Sequence, residues 1–234
     1  VFLLFNASSA LATSNILFMD NFDDEEFNNW QILGGNWEIN KIEGSYMLGT
    51  RVDTKHAVVE AIAGEEDWGN YIYEVDMIAL QGADKNIIFR VKDNENKYGI
   101  HMRSKYDEYT SSLVCIERWN NKNINDVPSF WDECDESWDF VNNKLYHLKI
   151  IALNNNIKFY VDDVLAIDFT DEVAPIDKGK VGLRVGTGAV AHTEVYFDNI
   201  KVTKIQDPVV IIPGHGASIN FGEMFLKIRY PDIY

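Results

Sequence analysis

The chain has 234 residues, of which 46% are apolar and 13% aromatic, with only five prolines; this composition describes a folded globular protein and excludes a disordered or fibrous one. Its 37 acidic against 21 basic side chains give a formal net charge of −16. Such a surface repels phosphate backbones and anionic lipid, so nucleic acid and membranes are excluded as partners and a neutral or cationic ligand is expected.

The first residues, VFLLFNASSALATS, join a short apolar run to a small-residue segment containing Ala10-Leu11-Ala12. The pattern predicts a signal-peptide remnant over residues 1–14, cut before Thr13 and too short to span a bilayer, and hence a secreted protein. From Asn15 to Ile205 apolar residues recur with period 2 between turn residues, with no stripe of helical period. That predicts an all-β sandwich of about a dozen antiparallel strands. Tyr71, Tyr73, Val75 and Met77 alternate with Ile72, Glu74, Asp76 and Ile78; Ile87, Phe89 and Val91 alternate with Ile88, Arg90 and Lys92. One set of each is expected to face the core and the other a second surface. Asp93-Asn94-Glu95-Asn96 supplies a turn into Tyr98, Ile100 and Met102, and Asn154-Asn155-Asn156 joins LYHLKIIAL to IKFYVDD as a second hairpin.

The two cysteines are Cys115, within a strand pattern, and Cys134, in the loop that follows; their spacing is not that of a metal site. In a secreted protein they form either a bridge that pins the loop or two free thiols. That loop, Trp119 to Lys144, is the longest interruption of the strand pattern and carries Trp119, Phe130, Trp131, Trp138 and Phe140. Tryptophans in an acidic loop suit stacking on sugar rings, and equally suit capping the end of a sandwich.

Four segments carry a resemblance: FMDNFDDEEFNNWQILGGNWEINKIEGSYML, NIIFRVKDNENKYGIHM, LYHLKIIALNNNIKFYVDD and GKVGLRVGTGAVAHTEVYFDNIKV. Over residues 18 to 205 the chain resembles the concanavalin-like jelly rolls, including laminin G-like modules and the 3-keto-disaccharide hydrolase-like group. The resemblance implies a jelly-roll domain at 15–205, closed by the strands between Gly179 and Val202, although Asp163 stands where these modules usually carry the glycine of Val-Asp-Gly. These motifs specify a fold and not an activity. Laminarinase-type endoglucanases of the superfamily carry Glu-x-Asp followed by a second glutamate. Glu74 and Asp76 share a strand face with Cα atoms about 7 Å apart, but Ile78 and Ala79 occupy the second glutamate's position, so the acid of a double displacement is missing.

A binding role asks less of the same residues. Glu74, Asp76, Arg90, His101 and Arg103 are expected to project to one side of neighbouring strands, offering hydrogen bonds to hydroxyls while Trp119, Trp131 and Trp138 stack on sugar faces. An ion-paired exposed face explains the same charges without a ligand. Jelly rolls of this kind often hold one structural calcium, and the resemblance implies Asp20 and Asp198, on the first and last strands, as its ligands. No other cofactor is expected.

After Ile205, Asp207-Pro208-Val209-Val210-Ile211-Ile212-Pro213-Gly214-His215-Gly216-Ala217-Ser218 reads as an apolar strand running into a Gly-rich loop. It resembles the first core strand and oxyanion loop of α/β-hydrolases of the lipase and acyltransferase type, with His215 and Gly216 in that loop. No Gly-x-Ser-x-Gly elbow follows, so residues 206–234 are expected to be the truncated start of such a domain. The expected function is a secreted, non-catalytic module of a larger hydrolase that binds a polysaccharide or glycan. A sugar-cleaving enzyme like the 3-keto-disaccharide hydrolases and a protein-binding spacer are the alternatives.

Overall fold

A computed structural model describes residues 15–82, 84–105, 111–119, 133–188 and 191–206; residues 1–14 and 207–234, with the signal-peptide and hydrolase expectations they carry, lie outside the described residues. The period-2 pattern resolves into fifteen strands and no helix among the described residues, arranged as two antiparallel sheets. The back sheet runs β13 (Val164–Thr170), β12 (Asn156–Val161), β11 (Leu145–Leu153), β6 (Tyr71–Gln81), β15 (Thr193–Lys204), β4 (Ser45–Val52) and β3 (Trp37–Ile42), with β1 (Ile16–Asp20) also paired to β15. The front sheet runs β10 (Glu133–Asp135), β9 (Leu113–Trp119), β8 (Asn96–Arg103), β7 (Asp84–Asp93), β14 (Lys180–Gly186), β5 (Val58–Ala63) and β2 (Gln31–Leu33).

Both expected hairpins are present, closed by the pairs Asp93 with Asn96 and Leu153 with Asn156. The Gly-rich segment after β14 is not a hairpin turn, because β14 lies in the front sheet and β15 in the back one. The core lies between the sheets. Tyr71, Tyr73, Val75 and Met77 of β6 are fully buried there, facing Ile87 and Phe89 of β7, and the Tyr73 hydroxyl crosses the sandwich to donate to the Gly182 carbonyl at 3.1 Å. That bond meets the rule that a buried hydroxyl needs a partner.

The alternation breaks once in a way that matters. At Arg90 the register with both neighbours shifts and the backbone turns to φ 48°, a β-bulge that sends two consecutive residues to unexpected faces. Val91 turns outward onto Ile62 and Ile88, and Arg90 is wholly buried. Its guanidinium donates to the carbonyls of Asn154 (2.6 Å), Ile176 (2.8 Å) and Gly69 (3.3 Å), and its backbone N–H donates to the Tyr71 hydroxyl at 2.9 Å. Burial pushes that tyrosine up to about 12. Gly179 packs against the bulge so closely that a Cβ there would sit 2.4 Å from the Arg90 carbonyl carbon.

At the far edge of the front sheet, Cys115 and Cys134 face each other across β9 and β10 and form a disulfide. Their separation of 19 residues corresponds to about 3 kcal/mol of loop-closure stabilisation. The Cys115→Ser, Cys134→Ser double variant is therefore expected to melt roughly 10 °C lower in a thermal scan. Arg90→Met removes the donor from the buried Ile176 carbonyl and from the part-buried Asn154 and Gly69 carbonyls, and urea unfolding should show a loss of about 3 kcal/mol.

Candidate functional site

The outer face of the front sheet carries charged residues in the middle of otherwise apolar strands. Strand register places Leu33, Glu60, Arg184, Asn86, His101 and Cys115 in one row across six strands. The next row on the same face is Ile62, Gly182, Ile88, Gly99 and Glu117. Lys97 and Trp119 pair one step further along. The glycines here are spatial requirements: a Cβ on Gly99 would lie 2.8 Å from the Trp119 ring, and one on Gly182 would lie 2.8 Å from the Ala61 carbonyl oxygen. The Trp119 indole thus lies against β8 at Gly99, with Arg184 4.7 Å and Lys97 5.5 Å from its ring centroid, both within cation–π range.

These cations also organise the carboxylates. Lys97 Nζ reaches both oxygens of Glu60 at 2.7 and 2.8 Å. Arg184 Nη1 donates to Glu117 at 3.4 Å, while its Nε lies 3.2 Å from Glu60 at an angle that makes an ion pair without a hydrogen bond. His101 stands 3.6 Å from Glu117 and 3.5 Å from Asp84, and Asp84 accepts the Gly188 N–H at 3.0 Å. Glu60, Lys97 and Glu117 are only 6%, 4% and 6% exposed, so these are buried charges on an outward-facing sheet surface, and burial at that level demands pairing. Burial, reinforced by Arg184, Arg103 and Lys85, pushes His101 down to about 3, leaving a neutral imidazole at physiological pH. Burial raises Asp84 above its usual range. In the middle of the row, Asn86 is 2% exposed and its Oδ1 has no hydrogen-bond partner among the described residues. Carboxylates, amide, imidazole and cations fixed around an indole form a hydrogen-bonding surface for a polyhydroxylated molecule.

The structure separates the five residues expected on one face. His101 and Arg103 do lie on the front face, where Arg103 Nε donates to the Ser111 carbonyl at 3.0 Å. Arg90 is inside, turned there by the bulge. Glu74 and Asp76 belong to β6 in the back sheet, on the opposite side of the molecule. Asp76 there lies 2.7 Å from His147 Nδ1 and accepts from Asn199 at 2.9 Å, and Glu74 pairs with Lys201 at 3.2 Å. Asp76 lines a cavity of about 170 Å³ with Ser45, Asp198 and Asn199, and hydrogen bonds join these four residues. Trp138 stacks on the buried Phe140, centroids 6.2 Å apart, and packs on the core, capping the sandwich. Trp131, His215 and Gly216 lie outside the described residues.

The first and last strands pair as expected, with Asp20 opposite Ile200. Asp20 nonetheless spends its oxygens on the Phe22 N–H and the Trp30 Nε1–H, and Asp198 spends its own on Ser45 and Asn199. No group of three or more His, Cys, Asp or Glu side chains suited to a metal gathers among the described residues.

Sequence reasoning missed Glu60, Lys97, Glu117, Arg184 and Asn86. The available signal was the lone charge interrupting an apolar strand, as in VVEAIA and VGLRVG.

The fold is a jelly-roll β-sandwich, an architecture also seen in carbohydrate-binding modules. Residues 18–203 match the model of the 3-keto-alpha-glucoside-1,2-lyase-like domain, and the chain belongs to that family. In sequence it is similar to an uncharacterized protein of Methanocaldococcus jannaschii, 23% identical over 81% of this chain and 80% of that protein. It is also 28% identical to the levanase of Bacillus subtilis over 67% of this chain, a match that spans only 20% of the levanase. Among solved structures, the carbohydrate-binding module CBM66 from Bacillus subtilis superposes with TM-score 0.57 at 24% identity, covering 75% of this chain and 96% of that one. The exoplasmic/lumenal domain of VIP36, solved with Ca2+ and mannose, gives TM-score 0.55 at 12% identity over 78% and 86%.

The neutral state of His101 has a consequence for acid stability. Between pH 6.5 and about 3 the unfolded chain binds a proton at this residue that the folded one does not, so stability falls as pH drops through that window. His101→Gln should flatten this part of the pH dependence, read from urea midpoints between pH 7 and pH 4.

Proposed function

We propose that this domain is a non-catalytic carbohydrate-binding module and that it holds its glycan on the outer face of the front sheet. The observation that carries the reading is the set of buried, mutually paired charges around Trp119 on a surface that faces solvent. A sandwich needs no charge there for folding, and removing such charges from water is costly. The likeness to CBM66 and to part of a levanase supports a sugar ligand and puts levan first among candidates. In this reading the protein is secreted, residues 1–14 being the end of its leader, and residues 206–234 open the hydrolase domain that the module serves.

The test is affinity electrophoresis of the chain in gels containing levan, β-glucan, xylan or mannan, with each lane checked for polymer breakdown. Retardation by at least one polymer is expected, with about tenfold weaker binding for Arg184→Ala and unchanged binding for the Glu74→Gln, Asp76→Asn double variant on the opposite face. Breakdown of the polymer would replace this reading with the sugar-cleaving one.

A further inference from the structure

On the front face Asn86 holds a buried polar atom that no described protein group satisfies, and its register partner Arg184 has an Nε that is ion-paired to Glu60 without a hydrogen bond. Asn86 on β7 and Arg184 on β14 are direct register partners on the same face, which places their Cβ atoms about 5 Å apart. Among the described residues Asn86 Oδ1 is a buried acceptor with no donor, and Arg184 Nε–H makes no hydrogen bond, its 3.2 Å approach to Glu60 being an ion pair alone. Native proteins rarely leave such groups unsatisfied, and a paired exception marks a place for something the protein lacks.

A complementary group must donate to Asn86 and accept from Arg184. A hydroxyl does both with one oxygen; a carboxylate or sulfate only accepts, and leaves Asn86 unmet. The cations nearby point the same way. Lys97 is committed to Glu60, and Arg184 to Glu60 and Glu117, so an incoming anion meets carboxylates as readily as cations.

Resting on the proposed sugar-binding role of this face, we propose that Asn86 and Arg184 Nε together form the specificity point of the site, reading a single hydroxyl of a neutral sugar and rejecting uronic-acid and sulfated polysaccharides. Asn86 sets which ligand is taken, and the paired charges around it hold the reading atoms still. The arrangement also predicts a signature that a structural asparagine lacks. Replacing a buried, unsatisfied amide with an apolar group of similar size removes a desolvation cost without breaking a bond, so Asn86→Leu should keep or raise the melting temperature while losing ligand.

The experiment compares wild-type chain, Asn86→Leu and Asn86→Ala by affinity electrophoresis on neutral levan, β-glucan, xylan and mannan, and on alginate and polygalacturonate, with melting temperatures in parallel. Retardation of the wild type on a neutral polymer alone, weakened about tenfold in both variants with the melting temperature of Asn86→Leu undiminished, supports the proposal. Equal binding by wild type and variants would mean that only water fills the gap, and overturns the proposal while leaving the sugar-binding role intact. Retardation on the acidic polymers overturns it as well. Absence of retardation on every polymer removes the sugar-binding role and this proposal with it.

Discussion

One buried arginine closes an end of this sandwich and sets the faces of the strand on which the candidate site is built. The three carbonyls held by Arg90 belong to the segment before β6, the β11–β12 turn and the segment before β14, so a single guanidinium ties segments serving both sheets. Because it supplies donors to one buried and two part-buried carbonyls, the cation is worth more as a five-donor fork than as a charge. Its position depends on the bulge. Before it, β7 turns Asn86 and Ile88 outward and Ile87 and Phe89 inward; after it, Val91 covers the outer side. A strand that kept strict alternation would send Arg90 out with Ile88 and leave the three carbonyls unpaired.

On the front face the opposite problem is solved: charges lie where an apolar or freely solvated surface would be simpler. Glu60, Lys97, Arg184 and Glu117 form a continuous chain of pairs over a floor of Ile62 and Ile88, with Trp119 held by the two cations. Every member restricts its neighbour, so the face is preorganised, and a ligand meeting it has less ordering entropy to offset. Such rigidity has value for recognition and little for folding, where apolar residues of similar volume serve as well.

The fold was legible because period 2 survives in nearly every strand: the buried set of β6 is the set that the alternation singles out, and both Asn- and Asp-rich turns close hairpins. Legibility ended where non-local facts decide. Glu74 and Arg90 lie on strands consecutive in sequence, yet β6 and β7 belong to different sheets, and nothing in local pattern reports which sheet a strand joins. The bulge at Arg90 is similarly silent, since its cause is the close approach of Gly179 some ninety residues later. Trp138 belongs to an acidic, Trp-rich loop and for that reason suggests stacking on sugar; its contact with Phe140 shows that composition cannot separate a capping indole from a binding one. The residues that do form the front face announce themselves only as solitary charges in apolar runs, a signal that gains meaning once register lines them up.

The two outer faces share a chemistry and differ in satisfaction. On the back, Asp76 and Asp198 are register partners joined through Asn199, with His147 and Ser45 completing their bonds. On the front, the same inventory of carboxylates, histidine and amide is assembled with more burial and yet leaves the Asn86 acceptor unmet among the described residues. Unsatisfied buried polarity lowers stability wherever it occurs, and sequences keep local violations of that kind chiefly where binding supplies the missing partner. The unmet Asn86 acceptor, more than the presence of acidic or aromatic residues, is what supports the proposal that the front face takes a ligand.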